Sequence, residues 1–463
     1  MTGKDNHFLA DRLYQMALRS FGREQTETAR SLADACLEIC PDHGEAWLLQ
    51  AETHLYAERE TAAIACLVRA AQIGPTAVDA LYRLTGLYLQ AGRPVDATVS
   101  ARRLLAIRPS DREAHYLLAV ALSRAGKRTE ALVAFRELLA ADARDRSAAV
   151  EAAWLLLGER QFGEGWPLWE QRPMPDPFPG APEGTAMWTG EPLEGKTVLV
   201  LPEGGHGDII WAARFLPGIK AAGGEVHVKT RPALTSLLAD LDGVDHWVGE
   251  ADSQCDYDYW IPILSLPARL VVSDPAHHSP PKLRSIPAPD GRLDALLARA
   301  KAPFRVGILW SGNVDYGGNA DRAAGLRDFL PLAELPFVQL YSLQKGPPQR
   351  ELIEGGFGDL IIDCDDYDFA ETAALIEALD LIIMTDSAVA HIAGALGTPV
   401  WVLLDTFAHW YHGFEGSLSD WYPSMRFFRQ SRPRQWQDVM ARVSDELVKF
   451  SDEPCVISQH RSS

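Results

Sequence analysis

The 463-residue chain has few of the features that mark exported or membrane-bound proteins. Its six cysteines include no Cys-x-x-Cys pair and no clustered spacing, which favours buried free thiols in a reducing compartment. The longest apolar stretch, residues 389–404, contains a histidine, two glycines and a proline and is too short to span a bilayer. The first residues lack the charged leader and apolar core of an export signal. We therefore expect a cytoplasmic protein without membrane insertion.

Positive charge is also scarce, because 44 Lys and Arg residues stand against 63 Asp and Glu residues, a formal net charge of -19. Such a charge repels phosphate backbones, so we expect no nucleic-acid partner. The apolar content of 47% is that of ordinary globular domains and excludes general disorder. At roughly 100–200 residues per domain, the length allows two to four domains.

Two independent residue series repeat every 34 positions in the first third of the chain. They are Pro41, Pro75, Pro109 and Ala29, Ala63, Ala97, Ala131. Apolar spacings of three and four between them predict two helices per period, with the alanine where the helices cross and the proline at the end of the second helix. A fifth, weaker unit runs from about Arg146 through Trp166 and Trp169. The pattern predicts an all-α array over residues 1–172.

This period and its small, aromatic and proline positions resemble the tetratricopeptide repeat (TPR), with a generic helical bundle as the alternative. The resemblance implies a superhelix whose concave groove holds a protein segment. We expect this groove to bind a protein acceptor, because the array carries no visible chemistry of its own.

A proline-rich linker is predicted at residues 173–195, and behind it short β-rich runs alternate with helical patterns. The predicted strands are residues 197–201, 226–229 and 244–248 in a first half (196–290), then 304–310, 337–343, 360–363, 379–384 and 400–404 in a second half (303–450). This alternation predicts two Rossmann-like parallel sheets. Ligands of open α/β sheets bind at the carboxyl ends of the strands, so we expect an interdomain cleft there. Residues 451–463 are expected to form a tail.

The first βα turn, residues 202–208, contains three glycines and ends at Asp208. It matches neither the dinucleotide fingerprint nor a phosphate-binding Walker loop. Asp208 stands where a helix N-cap would be, so capping is one interpretation. A general base at the mouth of the cleft is the other.

Polar residues also follow three strands of the second half. They are Ser311 and Asn313, then Gln344 and Lys345, then Asp386, Ser387 and His391. Asp386 or Ser387 caps a helix whose first amides suit a diphosphate, with His391 one turn further on. The alternative is a capping aspartate beside a buried core histidine. We interpret the convergence of three strand ends as a ligand-binding face.

Metal binding is not predicted. Asp363 and Asp365, like Asp366 and Asp368, have the two-aspartate spacing that some sugar transferases use for a divalent metal. However, they lie in an acidic segment that we interpret as a solvated loop. The histidines show no clustered metal-ligand spacing.

From about Trp188 onward, the chain resembles bacterial TPR glycosyltransferases of the GT-B fold, whose catalytic part is similar to the heptosyltransferase (family 9) group. The matching segments are residues 203–210, 310–313, 342–346, 382–402 and 421–430. The resemblance implies that Asp208 is the catalytic base and that Asp386, Ser387 and His391 bind the sugar and diphosphate of a nucleotide-sugar donor. It also implies that no metal and no further cofactor are needed.

Two departures from this group are visible. Arg322 is kept, but an alanine stands where a second arginine is expected. Residues 407–421 differ from the pattern of the group, which suggests a different preference for the acceptor or the sugar. Trp410 and Trp421 fit either an apolar wall for a ligand or the core.

The implied reaction is sugar transfer to a Ser or Thr hydroxyl of a protein held by the repeats, flagellin being one such acceptor class. The alternative is a TPR scaffold with a degenerate, non-catalytic transferase part. Transfer to a lipid-linked glycan is disfavoured, because no membrane-facing amphipathic segment is evident.

Overall fold

The computed structural model describes residues 3–249, 256–364 and 367–452. The chain forms two compact units, the first ending at Ala152 and the second beginning at Ala153.

The first unit is a series of antiparallel helix pairs. Its helices are α1 (Gly3–Phe21), α2 (Thr26–Ile39), α3 (Gly44–Tyr56), α4 (Glu60–Ala70), α5 (Ala77–Gln90), α6 (Pro94–Ile107), α7 (Arg112–Arg124), α8 (Arg128–Ala141) and the start of α9 (Arg146–Gly158). The second helices of four successive pairs, α2, α4, α6 and α8, begin 34 residues apart. The alanines of the repeat are fully buried, at 0% exposure. The predicted helical repeat is therefore confirmed.

Neighbouring pairs are joined by polar contacts at equivalent positions of the repeat. Asp111 caps α7 by accepting from the backbone N–H of Glu113 (3.1 Å). Asp145, 34 residues later, accepts from the N–H of Ala148 (3.1 Å) and from Nε of Arg112 (2.9 Å). One carboxylate thus caps a helix and ties it to the preceding pair.

Among the described residues, no single helix is both long and apolar enough to cross a membrane. One bent pair, Glu60–Ala70 with Gly74–Gln90, meets the criteria of length and composition only when its two parts are taken together.

The second unit begins with the end of α9 and helix α10 (Phe162–Trp169), followed by a five-stranded sheet. Its further elements are β1 (Ala186–Met187), β2 (Thr197–Leu201), α11 (His206–Ala212), α12 (Leu216–Ala221), β3 (Glu225–Val228), α13 (Thr235–Leu238), β4 (His246–Trp247), β5 (Tyr259–Pro262) and α14 (Leu266–Arg269). The strand order is β1-β5-β2-β3-β4, and every pairing is parallel.

A six-stranded parallel sheet follows, in the order β11-β10-β9-β6-β7-β8. Its elements are α15 (Arg292–Leu297), β6 (Phe304–Leu309), α16 (Asn319–Arg322), α17 (Leu326–Ala333), β7 (Val338–Ser342), α18 (Arg350–Glu354), β8 (Ile361–Asp363), α19 (Phe369–Glu377), β9 (Leu381–Thr385), α20 (Ala388–Leu396), β10 (Val400–Leu404), β11 (Met425–Arg429) and α21 (Gln437–Asp452). The parallel α/β architecture predicted from the sequence is therefore present. Strands β1, β5 and β11 were not predicted.

The aromatic residues of the fifth repeat belong to the α/β core. Phe162, Trp166 and Trp169 of α10 lie in the same buried cluster as Trp211 and Trp410. The compact first unit consequently ends twenty residues before residue 172, where the sequence pattern places the end of the array.

The proline-rich segment 173–195 also packs against the first sheet. Its Phe178 is buried with Leu199 and Leu201 of β2, and β1 within it pairs with β5. This segment is therefore part of the α/β unit, although its prolines mark a change of pattern in the sequence.

Candidate functional site

The glycine-rich turn places Asp208 inside the first turn of α11. Gly204 has a φ of +76°, a conformation that favours glycine, and the N-cap residue is Gly205. Asp208 is the third residue of the helix, and its Oδ2 accepts from the Gly205 N–H at 2.6 Å. The sequence placed Asp208 at the N-cap, which is wrong by three residues, but the carboxylate still satisfies a backbone donor of the helix start.

The environment of Asp208 raises its affinity for a proton. Burial raises the pKa of Asp208 to about 6, and the negative charges of Asp386 and Glu203 act in the same direction. The hydrogen bond from Gly205 and the charge of Arg322 oppose this shift. A carboxylate with a pKa near neutrality is ionised at pH 7 yet can accept a proton in a reaction.

Helix α11 approaches helix α20 through a glycine. A Cβ atom on Gly207 would lie 2.9 Å from Cδ2 of His391 and 3.3 Å from Cα of Ala388. A larger residue would fit only if the ring of His391 or the backbone of α20 moved. The absence of a side chain at Gly207 therefore brings the turn that carries Asp208 against the first turn of α20, joining the carboxyl-end edges of the two sheets.

The start of α20 separates the roles of Asp386 and Ser387. Ser387 is the N-cap, and its Oγ accepts from the Val389 N–H at 3.3 Å. Asp386 precedes the cap and is only 6% exposed. Its Oδ1 accepts from Nε2 of His412 at 3.0 Å, and its Oδ2 lies 4.0 Å from the guanidinium of Arg322. The sequence left open whether Asp386 or Ser387 caps this helix, and the structure shows that Ser387 does.

Asp386 is held in its ionised form. Burial alone would raise its pKa, but His412 and Arg322 outweigh this effect and lower the pKa of Asp386 well below its ordinary value. The site consequently contains one carboxylate with a raised pKa, Asp208, and one with a lowered pKa. Two carboxyl groups whose environments separate their pKa values in this way are suited to different tasks.

His391 is buried, at 1% exposure, and both of its ring nitrogens have partners. Nδ1 lies 3.1 Å from the hydroxyl of Tyr422, and Nε2 lies 3.3 Å from the hydroxyl of Tyr411. Burial lowers the pKa of His391 to about 3, so its ring is neutral. In this structure His391 orients two tyrosines.

Gln344 connects two strand ends. Its Oε1 accepts from the backbone N–H groups of Trp310 and Ser311 (3.1 and 2.9 Å). Its Nε2 donates to the carbonyls of Ser311 and Lys345 (both 3.0 Å). The amide uses its hydrogen-bonding capacity on the backbone, so Gln344 shapes the end of β6 against the end of β7.

Asn319, which the sequence analysis did not single out, links two of the predicted residues. Its Nδ2 donates to Oγ of Ser311 at 3.0 Å, while its Oδ1 accepts from Nε of Arg322 at 3.4 Å. The guanidinium of Arg322 also lies over the ring of Tyr316, 4.6 Å from its centroid. Ser311 and Arg322 are thereby brought to the same side of the sheet as Asp386.

The remaining predicted residues lie further out. Asn313 is exposed, and its Oδ1 accepts from the Asp315 N–H at 3.1 Å, which forms a local turn. Lys345 is exposed, with Nζ 3.5 Å from Oγ1 of Thr372 on α19. The structure therefore gathers Asp208, Arg322 and Asp386, with Ser387, His391 and Ser311 next to them, and leaves Asn313 and Lys345 at the edge.

The two tryptophans of the segment 407–421 belong to the core, whereas residues 415–418 of the same segment are exposed. Trp410, at 2% exposure, contacts Trp211 and Trp166 with ring centroids 5.2 and 5.4 Å apart. Trp421 lies 5.1 Å from Trp211 in the same cluster. Of the two interpretations of these tryptophans, the structure supports the core. The number of aromatic residues in this segment indicated packing. No feature of the sequence indicated the role of His412, which lies between the two tryptophans in the chain.

Within the described part of the chain, no group of three His, Cys, Asp or Glu residues is arranged to hold a metal ion. Asp363 accepts from Nε2 of Gln349, and Asp368 caps α19 by accepting from the Glu371 N–H at 2.8 Å. Asp365 and Asp366 lie outside the described residues.

Comparison with protein families gives one match to the site. The family model described as Glycosyltransferase family 9 (heptosyltransferase) matches residues 364–404, which include Asp386, Ser387 and His391.

Among curated proteins, the chain is similar to Protein FlbA of Caulobacter vibrioides (strain ATCC 19089 / CIP 103742 / CB 15). The two are 28% identical over 334 residues, which cover 65% of this chain and 54% of FlbA. The chain thus spans about half the length of that relative.

Two solved structures are similar to about a third of the chain. YrrB, described as a TPR protein with an unusual peptide-binding site, is 18% identical and has a TM-score of 0.32, covering 34% of this chain and 82% of its own. MamA is 15% identical, also with a TM-score of 0.32, covering 35% of this chain and 89% of its own.

The repeat geometry of the first unit and the family match in the second agree with the resemblance that the sequence suggested. The chain resembles a tetratricopeptide-repeat protein joined to a glycosyltransferase of family 9 (heptosyltransferase).

Proposed function

We propose that the second unit transfers a sugar from a nucleotide-sugar donor to a hydroxyl group, in a metal-independent arrangement of the GT-B type. The observation that carries the proposal is the approach of α11 to α20 at Gly207, where a Cβ atom, if present, would lie only 2.9 Å from Cδ2 of His391. This approach sets a carboxylate with a pKa of about 6 against the helix start that lies within the family 9 match.

Asp208 is the proposed base. Transfer to a hydroxyl requires a group that accepts the hydroxyl proton as the new glycosidic bond forms. Asp208 has a raised pKa, is partly accessible and keeps a fixed orientation through Gly205. Asp386 does not compete for this role, because its lowered pKa makes it a poor proton acceptor.

The start of α20 is the proposed site for the donor diphosphate. The first backbone amides of a helix and its dipole favour an anion, and Ser387 leaves the helix start uncovered by a carboxylate cap. Arg322, 22% exposed, adds a positive charge beside it. Neutralising the departing diphosphate is the second requirement of the reaction. Ser311, Asn313 and Lys345 line the approach to this region in the proposal, and Gln344 holds its backbone.

The helical repeats are proposed to select a protein acceptor whose Ser or Thr hydroxyl receives the sugar, with flagellin as one acceptor class. The support for this division of labour is the compact helical unit that precedes the α/β unit. Superhelical repeats of this kind commonly use their concave face to bind a partner.

A nucleotide-sugar panel followed by a transfer assay tests the proposal. We expect one nucleotide sugar to raise the melting temperature, because a ligand that binds only the native state stabilises it. The same donor, carrying a label, should then modify a protein in a lysate of the source cells, with the site read by mass spectrometry. Donor binding without any transfer would instead favour a binding scaffold, and the absence of binding would contradict the proposal.

A further inference from the structure

His412 is the hydrogen-bond donor that holds the carboxylate of Asp386. It is 2% exposed, and its Nε2 lies 3.0 Å from Oδ1 of Asp386. The ring packs edge-on against Phe427 and Tyr411, with centroid distances of 5.0 and 4.6 Å. These contacts leave His412 little rotational freedom, so its N–H group has a fixed direction toward Asp386.

The backbone turn that carries His412 is fixed by Arg429 of β11. Its guanidinium donates to the carbonyl oxygens of His412 (2.8 Å), Gly413 (3.1 Å) and Gly416 (3.0 Å). The turn reverses at Gly413, whose φ is +63°.

A second arginine also contacts this segment. Arg160, two residues after the end of α9, donates to the carbonyl of Trp410 at 3.3 Å and pairs with Asp420. Two arginines thus bind backbone carbonyls of the segment that carries His412, which restricts the movement of this residue.

The fixed Asp386 carboxylate has one oxygen committed to His412 and a second oxygen, Oδ2, that is 4.0 Å from Arg322. A carboxylate oxygen repels phosphate oxygens, so the favourable ligand of Oδ2 itself is a hydroxyl donor, while the proposed diphosphate site is the backbone amides that follow Ser387. We propose that His412 is a positioning residue that aims Oδ2 of Asp386 at a hydroxyl of the donor sugar. This inference rests on the proposed sugar transfer and adds the residue that determines recognition of the sugar end of the donor.

The His412→Gln and His412→Asn variants test the proposal as a matched pair. A glutamine amide reaches the place of Nε2, whereas an asparagine amide is one methylene shorter. The affinities of each variant for the nucleotide sugar selected by the wild-type protein, and for the corresponding nucleoside diphosphate, are measured by calorimetry, together with kcat and KM. His227→Asn, a partly buried histidine of β3, serves as the control.

We expect His412→Asn to bind the nucleotide sugar about 10–100-fold more weakly, the range of a lost hydrogen bond to a charged group, and the nucleoside diphosphate less than about threefold more weakly. His412→Gln should retain both affinities within about threefold, and the control should retain both. Equal behaviour of the two variants, a parallel loss of both ligands, or loss of the fold in both would overturn the proposal. A wild-type protein that binds no nucleotide sugar would overturn the proposed function itself, and this result is read before any variant is compared.

Discussion

At the scale of single residues, two aspartates in one site are driven in opposite directions by their surroundings. Burial raises the pKa of Asp208 to about 6, and the hydrogen bond that its carboxylate accepts from Gly205 offsets this rise only in part. Asp386 is buried too, but His412 and Arg322 hold it ionised. Because replacement by asparagine removes the charge with little change in shape, it should affect stability with opposite signs at the two positions.

Asp208→Asn should lower kcat by about 100-fold or more while leaving the affinity for the donor nearly unchanged, because asparagine cannot accept the proton. The same variant should be more stable than the wild-type protein by about 1–3 kcal/mol at pH 7.5, since it removes a carboxylate whose ionisation the fold opposes. Kinetics and thermal unfolding of the purified variant measure the two effects.

The pH dependence provides the control for Asp208. Its folded pKa, about 6, lies above its unfolded value of 3.8, so the wild-type protein loses stability relative to Asp208→Asn as the pH rises from about 4 to about 6. Above about pH 7, where Asp208 is ionised in both the folded and the unfolded state, the difference should be constant. If Asp208 acts as the proposed base, kcat/KM of the wild-type protein should fall below pH 6 as its carboxylate is protonated. A destabilised variant with normal turnover would assign Asp208 to helix capping alone.

Asp386→Asn should destabilise the protein by about 2–4 kcal/mol at pH 7, because Arg322 and His412 lose their anion within the structure. The folded pKa of Asp386 lies below its unfolded value, so its stabilising contribution is present above about pH 4 and is lost as the pH falls through lower values. Unfolding in denaturant at pH 7 and at pH 3.5 measures the difference, which should shrink at the lower pH. An unchanged stability at pH 7 would show that the ion pairs with Asp386 contribute nothing.

The residues of the candidate site that the sequence analysis named are those whose position follows from their neighbours in the chain. Asp208, Ser387 and Asp386 follow directly from a strand end, a turn and a helix start, which are visible as a local pattern. His412 and Asn319 were not identified, because their partners are 26 and 8 residues away and belong to other elements. Contacts of this kind depend on tertiary packing, to which a local pattern gives no access.

At the scale of elements, the predicted strands were those with continuous apolar runs. β2 and β10 have the predicted bounds, because both are buried strands of five apolar or β-branched residues. β11 was missed since it contains two arginines, and β5 since it is short and ends in a proline. Their place in the sheets is decided by neighbouring strands, which compensate for weak local preference.

The packing of α11 on α20 gives a prediction for Gly207→Ala. The added methyl group would lie 2.9 Å from Cδ2 of His391 and 3.3 Å from Cα of Ala388, so the buried His391 ring or the backbone of α20 must move, which alters the contact between the turn that carries Asp208 and the start of α20. We expect at least a tenfold loss of kcat/KM, since small displacements in a catalytic arrangement are costly. Steady-state kinetics of the folded variant measure the effect.

Gly163→Ala in α10, outside the compact helical unit, is the matched control, because a Cβ at Gly163 meets no atom within 4 Å. This substitution should leave kcat/KM unchanged and stabilise the protein by about 0.5–1 kcal/mol, the ordinary advantage of alanine over glycine within a helix. If Gly207→Ala and the wild-type protein had equal kinetics, the close contact between α11 and α20 at Gly207 would have no influence on the reaction.

At the scale of the whole molecule, the α/β unit includes the last helix of the repeat pattern. Trp166 and Trp169 donate from their indole N–H groups to the carbonyls of Val272 (2.7 Å) and Leu264 (3.2 Å). Arg172, also buried, donates to both oxygens of Glu203 (2.8 and 2.7 Å), a residue of the glycine-rich turn. A fragment that contains the intact α/β unit must therefore begin before α10, even though the repeat pattern continues to residue 172.

Two fragments test this conclusion and the division of labour together. A fragment of residues 146–463 keeps all of α9 and α10 and should fold, bind the donor with an affinity within about threefold of the full chain, and fail to modify the protein acceptor. A fragment of residues 188–463 lacks Arg172 and the aromatic residues of α10. Each buried aromatic side chain contributes roughly 1.5–3 kcal/mol to stability. The loss of three is therefore comparable to the whole free energy of unfolding of an ordinary domain, so this fragment should be unfolded. Circular dichroism, donor-induced stabilisation and the labelled-donor assay separate these outcomes. A folded, donor-binding 146–463 fragment that modifies the acceptor as well as the full chain does would show that the repeats do not select the acceptor, since the catalytic machinery is the same in both proteins.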